Sequence, residues 1–141
     1  MGICKSVSIK EVEQVVFRLV REKMVYDESI PSFGTRFPNV LESCLVVPFQ
    51  KFDKRMLYKG FGKKAAVLFY LMIKNHPFQN GNKRIAMMTL FYFLFKNNKW
   101  LKIDNKKLYN FAVWLAESPA ELKGDTLSAA EKFIKNHLVN K

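Results

Sequence analysis

Residues 76–84 read His76-Pro77-Phe78-Gln79-Asn80-Gly81-Asn82-Lys83-Arg84, between two apolar stretches of helical length. Upstream, Gly62 to Asn75 carries Ala65, Ala66, Leu68, Phe69, Leu71, Met72 and Ile73, apolar nearly all round. That is the pattern of a helix buried on every side. Downstream, Lys83–Lys96 repeats it. Pro77 lacks an N–H and disfavours helical geometry at His76, so the first helix stops there. Asn80-Gly81-Asn82 is a turn signal. Two buried helices joined through a short turn call for further helices to cover them, which predicts an all-α fold.

The flanking sequence supplies those helices. Ser8 and Glu11 have capping-box spacing, and Val12, Val15, Val16, Leu19 and Val20 follow on one face, predicting a helix over Ile9–Met24. Asp27–Phe37, with Pro31 and Gly34, reads as a loop. Pro38 suits a first helical turn, and Val40–Val47 is a short apolar helix. Lys51–Gly60 has no clear period and reads as a hairpin or an irregular loop. Trp100–Ile103 is a short extended piece. Asp104 or Asn105 caps a helix to Glu117. Asp125 caps a last helix, Thr126–Val139, with Leu127, Ala130, Phe133, Ile134 and Leu138 as its stripe. The expectation is a single domain over residues 1–141, built from about six helices.

The chain has 141 residues, and 49% are hydrophobic, enough for a globular core. Its longest uncharged apolar run, Ile85–Phe95, is too short to span a bilayer. Cys4 and Cys44, both in helix-like contexts, have no metal-ligand spacing and read as apolar fillers in a reducing cytoplasm. Trp100 and Trp114 read as core or rim, Phe91, Phe93 and Phe95 as core, and His137 as a surface residue. The net charge is +12, which favours anionic partners. No acidic residue lies between Asp53 and Asp104, a stretch that holds nine lysines and two arginines.

The 76–84 segment is the one with chemistry in it. The first N–H groups of a helix lack intrahelical acceptors, and the helix dipole is positive there, so a phosphate is stabilised. Gly81 lets backbone approach a ligand closely. Lys83 and Arg84 add charge-assisted donors. A neutral His76 beside such a cradle could take a proton from an attacking hydroxyl. Phe78 reads as the anchor of the loop in the core. Each part alone is commonplace; their combination within nine residues is what points to polyphosphate chemistry.

The segment resembles the Fic/Doc motif, His-x-Phe-x-(Asp/Glu)-Gly-Asn-(Gly/Lys)-Arg, at His76, Phe78, Gly81, Asn82, Lys83 and Arg84. Gly34-Thr35-Arg36 and Leu41-Glu42-Ser43 resemble the family's upstream element, and the likeness covers roughly residues 34–101. The resemblance implies His76 as general base for a Ser, Thr or Tyr hydroxyl on a target protein. It implies Gly81, Asn82, Lys83 and Arg84 as the phosphate cradle, ATP as substrate and Mg²⁺ as cofactor. It also implies a flap that pairs with the target, for which Lys51–Gly60 is the candidate by position. AMP-transferring members carry a second Arg where this chain has Met87, and Gly where it has Lys83. The likeness is therefore to the death-on-curing (Doc) branch, toxins of toxin–antitoxin pairs that pass the γ-phosphate of ATP to elongation factor Tu.

One position departs from the motif: Asn80 stands where the acidic Mg²⁺ ligand is expected, and an amide oxygen brings no charge to the metal. No Glu has a Ser or Thr four residues before it, so the family's self-inhibitory pattern is missing and a separate antitoxin is the expected restraint. Two other readings stay open. One is AMP transfer to a protein hydroxyl, which Lys83 and Met87 disfavour. The other is a catalytically degenerate module binding nucleotide or nucleic acid, which Asn80 favours and His76 disfavours. Helix-turn-helix, RNA-binding and zinc signatures are absent, so nucleic acid is the less expected partner.

Overall fold

The computed structural model describes residues 4–23 and 30–141. Within them the chain is mainly helical, with six helices and two short antiparallel strand pairs. The expectations for Met24 and for residues 27–29 lie outside the described residues. The first helix, α1, follows the Ser8 cap: Glu11 N donates to Ser8 Oγ (3.1 Å) and Ser8 N to Glu11 Oε1 (3.0 Å). It runs as an α-turn over Ile9–Glu11, a π-helical stretch over Val12–Val16 and α-helix again over Phe17–Lys23. Val12, Val16, Phe17 and Val20 are buried. The wide π turn was not legible in the sequence.

Helix α2 is Pro38–Val46, opened by Pro38 as expected and followed by a 3-10 turn over Val47–Phe49. The Lys51–Gly60 segment is a hairpin: β1 (Lys51–Phe52) pairs with β2 (Arg55–Met56). Asp53 and Lys54 between them both have left-handed φ (52° and 64°), the geometry that matches strand twist in two-residue hairpin turns. Helix α3 (Phe61–Lys74) and helix α4 (Asn82–Lys96) form the buried centre, each apolar on nearly every side. Phe61, at the start of α3, stacks on Phe93, near the end of α4, at 5.1 Å, so the pair runs antiparallel. Helix α5 is Asn105–Ala116, with Asp104 Oδ1 accepting from Lys106 N, and helix α6 is Lys123–His137.

Several side chains depart from the sequence reading. The last helix ends at His137, not Val139. Leu138–Asn140 form strand β4, which pairs with β3 (Lys99–Leu101) in the register Leu101↔Leu138. The backbone of β3 needs a partner, and the ladder supplies one where a further helical turn would not. Asp125 lies in the first turn of α6 instead of capping it, because a 3-10 turn over Ala120–Leu122 brings the chain into the helix earlier. Cys44 is buried in α2, but Cys4 lies outside any helix, and both thiols are free. Phe95, which reads as core, is exposed, and Trp100 and Trp114, which read as core or rim, lie at the surface. His137 is half-buried, with Nδ1 at 2.8 Å from Phe133 O.

The N-terminal segment is fastened to the end of α4 by charge. Lys96 Nζ donates to both Glu11 carboxylate oxygens at 2.8 Å and to Ser6 O at 2.9 Å, and Tyr92 OH donates to Glu11 Oε2. Burial opposes the Glu11 charge, but the bonds from Lys96, Tyr92 and the Ser8 amide outweigh it and lower its pKa from 4.5 to about 2. Burial and the same carboxylate push the Tyr92 phenol up to about 12. A carboxyl held low contributes stability above its unfolded-state pKa and loses it as pH falls through the folded value. Glu11→Gln is expected to cost about 1–2 kcal/mol of unfolding free energy at pH 7, by urea denaturation. The gap between the two proteins should close as pH falls from 4.5 to about 2.

Candidate functional site

The seven residues between α3 and α4 have to reverse the chain at one end of a buried helix pair. Asn75 closes α3, its N–H donating to Leu71 O (3.0 Å). His76 then takes φ +50°, a left-handed turn that few non-glycine residues adopt. The turn leaves the imidazole exposed while Pro77 and Phe78 go under. Phe78 is 1% exposed, with its ring 5.2 Å from that of Phe17 and 6.3 Å from that of Phe33. It therefore sits where an anchor must. Gln79 and Asn80 are exposed. Gly81 has φ +70°, and a Cβ there would stand 3.3 Å from Ile30 Cγ2 and 3.5 Å from Arg84 Nη2. A side chain there would be strained by the backbone and would press on Ile30.

Asn82 closes the loop. Its Oδ1 accepts from Phe78 N (3.0 Å) and its Nδ2 donates to Phe78 O (2.9 Å), a reciprocal pair inside a buried turn. Those two bonds fix which way the amide points. Nδ2 is then 3.4 Å from His76 Nδ1, a long contact in which Asn82 is the donor and the imidazole the acceptor. The side chain of Asn82, read from the sequence as part of a cradle, is thus committed within the loop. As the first residue of α4 it has a backbone N–H without an intrahelical acceptor.

Lys83 is half-buried in the first turn of α4, and Arg84 is 7% exposed, packed against the Gly81 turn. The loop thus brings His76, Gly81, the α4 N-terminus, Lys83 and Arg84 to one end of the helix pair. Asn80 stands on the same turn, with an amide where the motif has a carboxylate. Among the described residues no three His, Cys, Asp or Glu come together in a way that could hold a metal. At the motif's acidic position Asn80 offers only a neutral oxygen.

Three supports were not read from the sequence. Phe37 N donates to Pro77 O (2.9 Å), tying the entry to α2 onto the motif loop. Arg36 lies next to that bond. Its guanidinium sits 4.3 Å over the Phe33 ring, and its buried Nε has no hydrogen-bond partner among the described residues. Lys74 Nζ donates to Ala116 O (3.2 Å) and Ser118 O (2.6 Å), closing the end of α5 from the last turn of α3. A lysine at a helix end signals only a favourable charge, so its distant carbonyl partners are invisible in the sequence. At the other end of α3, Lys64 is buried and donates to Tyr58 O (2.5 Å) beside the hairpin. Phe49 and Phe61 both pack on Phe93 there. The root of the hairpin therefore stands at the end of the α3–α4 pair remote from His76, about 20 Å along α3.

The Asn82 latch can be broken by one atom. Asn82→Asp keeps an acceptor for Phe78 N but sets a carboxylate oxygen against Phe78 O. The expected cost is about 1–3 kcal/mol, read as a lowered midpoint in thermal or urea unfolding. A midpoint within error of the wild type would show that the reciprocal pair does not hold the loop.

The chain matches no curated protein and no solved structure. The sequence model of the Fic/DOC family, in contrast, matches residues 6–94. That span runs from the segment before α1 to the last turns of α4, and takes in α1, which lies upstream of the motif likeness. With most of its length matched and the motif loop built between α3 and α4, this chain belongs to the Fic/DOC family.

Proposed function

We propose that this protein is a transferase of the death-on-curing type, moving the γ-phosphate of ATP to a Ser or Thr hydroxyl of a translation factor of the elongation factor Tu kind in the cytoplasm. Members of the family are transferases that modify proteins by phosphorylation or by AMP transfer. The observation that carries the reading is the motif loop itself. An exposed imidazole is held by Asn82 beside a helix N-terminus that bears Lys83 and Arg84, and no carboxylate lies between Asp53 and Asp104 in the chain.

The chemistry follows from those groups. The target hydroxyl oxygen attacks the γ-phosphorus and its proton passes to the exposed His76 imidazole. The bond from the γ-phosphorus to the bridging oxygen breaks, and ADP leaves. Backbone N–H groups at the start of α4, with Lys83 and Arg84, hold the phosphate charge in place. Gly81 keeps the approach to that backbone open. Phe78 and Asn82 keep the loop from moving as charge shifts. A divalent cation arrives on the phosphates of ATP as part of the substrate, since Asn80 adds no charge to hold it.

Two observations favour γ-phosphate transfer over AMP transfer. Lys83 adds a cation at the cradle. Met87, where AMP-transferring members carry a second Arg, is fully buried at 0% exposure and faces the core. Restraint falls to a separate antitoxin, as the chain has no Ser/Thr-x-x-x-Glu pattern. One observation favours a second reading, a nucleotide-binding module without activity: the neutral Asn80 on the exposed turn.

ATP labelled at the γ-phosphate or at the α-phosphate separates these readings in a bacterial lysate. γ-Label is expected on a band of translation-factor size, and His76→Ala should reduce it by about a hundredfold or more. α-Label on protein would instead assign AMP transfer. Bound nucleotide without transfer of either label would assign the inactive module. Asn80→Asp is expected to lower the Mg²⁺ concentration needed for half-maximal transfer, because a carboxylate draws the cation more strongly than an amide.

A further inference from the structure

A cleft of about 360 Å³ opens where α5 ends and α6 begins, and no residue of the motif loop lines it. That volume is in the range of small-molecule sites. One wall is the indole of Trp114, which is 49% exposed. The ring is held from behind: Trp114 stacks on Phe111 at 5.4 Å, and Phe111 stacks on Phe133 at 4.0 Å. Leu122 adds apolar surface. Thr126 lines the same cleft. It is 3% exposed, and its hydroxyl makes no hydrogen bond among the described residues. A buried hydroxyl costs free energy unless something bonds to it, and the cleft is the side from which a partner can come.

Two carboxylates, Glu117 and Asp125, also line the cleft. The stretch between them holds three acidic residues and one lysine, a negative spot on a chain of net charge +12. The ion pairs among the described residues go to Glu11 and Glu131, so neither Glu117 nor Asp125 has one there. The neighbouring cations are engaged elsewhere. Lys74 is bonded to the carbonyls of Ala116 and Ser118, and Lys123 stands over the Tyr70 ring. Glu117 closes α5, at the negative end of the helix dipole, where a carboxylate is disfavoured. Helix stability does not account for an acid at that place; a cation bound beside it would.

We propose that this cleft binds an aliphatic diamine, a dication with an ammonium group at each end of a methylene chain. The carboxylates of Glu117 and Asp125 meet the ammonium groups, and the Thr126 hydroxyl accepts a hydrogen bond from one of them. The methylenes lie against Trp114 and Leu122, and the indole face attracts an ammonium in its own right. Two carboxylates call for two positive charges, and the apolar wall calls for carbon between them. An inorganic cation would use the first feature and leave the second unused. The site has no part in phosphate transfer and is read without ATP, so its failure and that of the transfer reading are separable.

The chain has two tryptophans, so Trp100→Phe leaves Trp114 as the sole indole reporter in the full-length protein. Putrescine is the probe. The expected result is a saturable change in Trp114 emission that weakens as salt rises. In the same background, Thr126→Val keeps the shape and removes the hydroxyl. It should leave the unfolding midpoint unchanged or raise it, because no bond within the protein is lost, and weaken putrescine binding about threefold or more. Glu117→Gln, at an exposed position, should weaken it about threefold. No change in emission, or binding by both variants as tight as before, overturns the proposal. An equal response to Mg²⁺ overturns it in favour of a site for charge alone, and an equal response to butanediol in favour of an apolar cleft alone. A capped lysine peptide that binds more tightly than putrescine would overturn the free diamine and give the cleft to a protein side chain.

Discussion

The reciprocal pair between the Asn82 amide and the backbone of Phe78 is the constraint on which the site depends. α3 and α4 are apolar on nearly every side, so their burial is strong but indifferent to how the chain passes from one to the other. The turn between them carries polar backbone at the edge of the core, and that backbone needs partners. Asn82 supplies two of them at once. Phe78 then fixes the loop to Phe17 and Phe33, so that α1 and the 30–37 segment both bear on it. The exposed His76 and the positive end of α4 are consequences of a loop that is closed beneath.

The all-α architecture was legible because its strongest signal lies in two long apolar runs interrupted by Pro77 and Gly81. Both residues act through hard backbone geometry, and neither depends on distant contacts. The Ser8–Glu11 box and the Asp104 cap were legible for the same reason: their partners lie within three residues. The last turn of α6 was not. Leu138 fits a helical stripe and a strand equally well, and its pairing with Leu101 is decided 37 residues away. Nothing local could reveal that Lys74 and Lys64 are held by carbonyls. Phe95 reads as core because bulk predicts burial, whereas its exposure depends on what α1 and β3 fail to cover.

The candidate site was legible as a string of residue types but not as a division of labour. Asn82 read as a ligand for phosphate and is bonded within the loop. Lys51–Gly60 reads as the candidate flap by position alone, 16 residues before His76 at its end. Those residues are a straight helix, which carries the hairpin root to the far end of α3. Sequence proximity across a helix is distance, not contact.

The π-helical stretch at Val12–Val16 bears on how this chain can vary in length. A π turn accommodates one residue more than an α-helix over the same rise. Deleting one residue within Val12–Val16 would let α1 run as continuous α-helix, preserving the Ser8 cap behind it and the direction ahead. Inserting one would leave no such escape: Phe17 and Val20 would swing by about 100° away from the floor of the motif loop. α1 should therefore tolerate contraction better than expansion, an asymmetry visible only in natural or engineered variants whose length changes at that place.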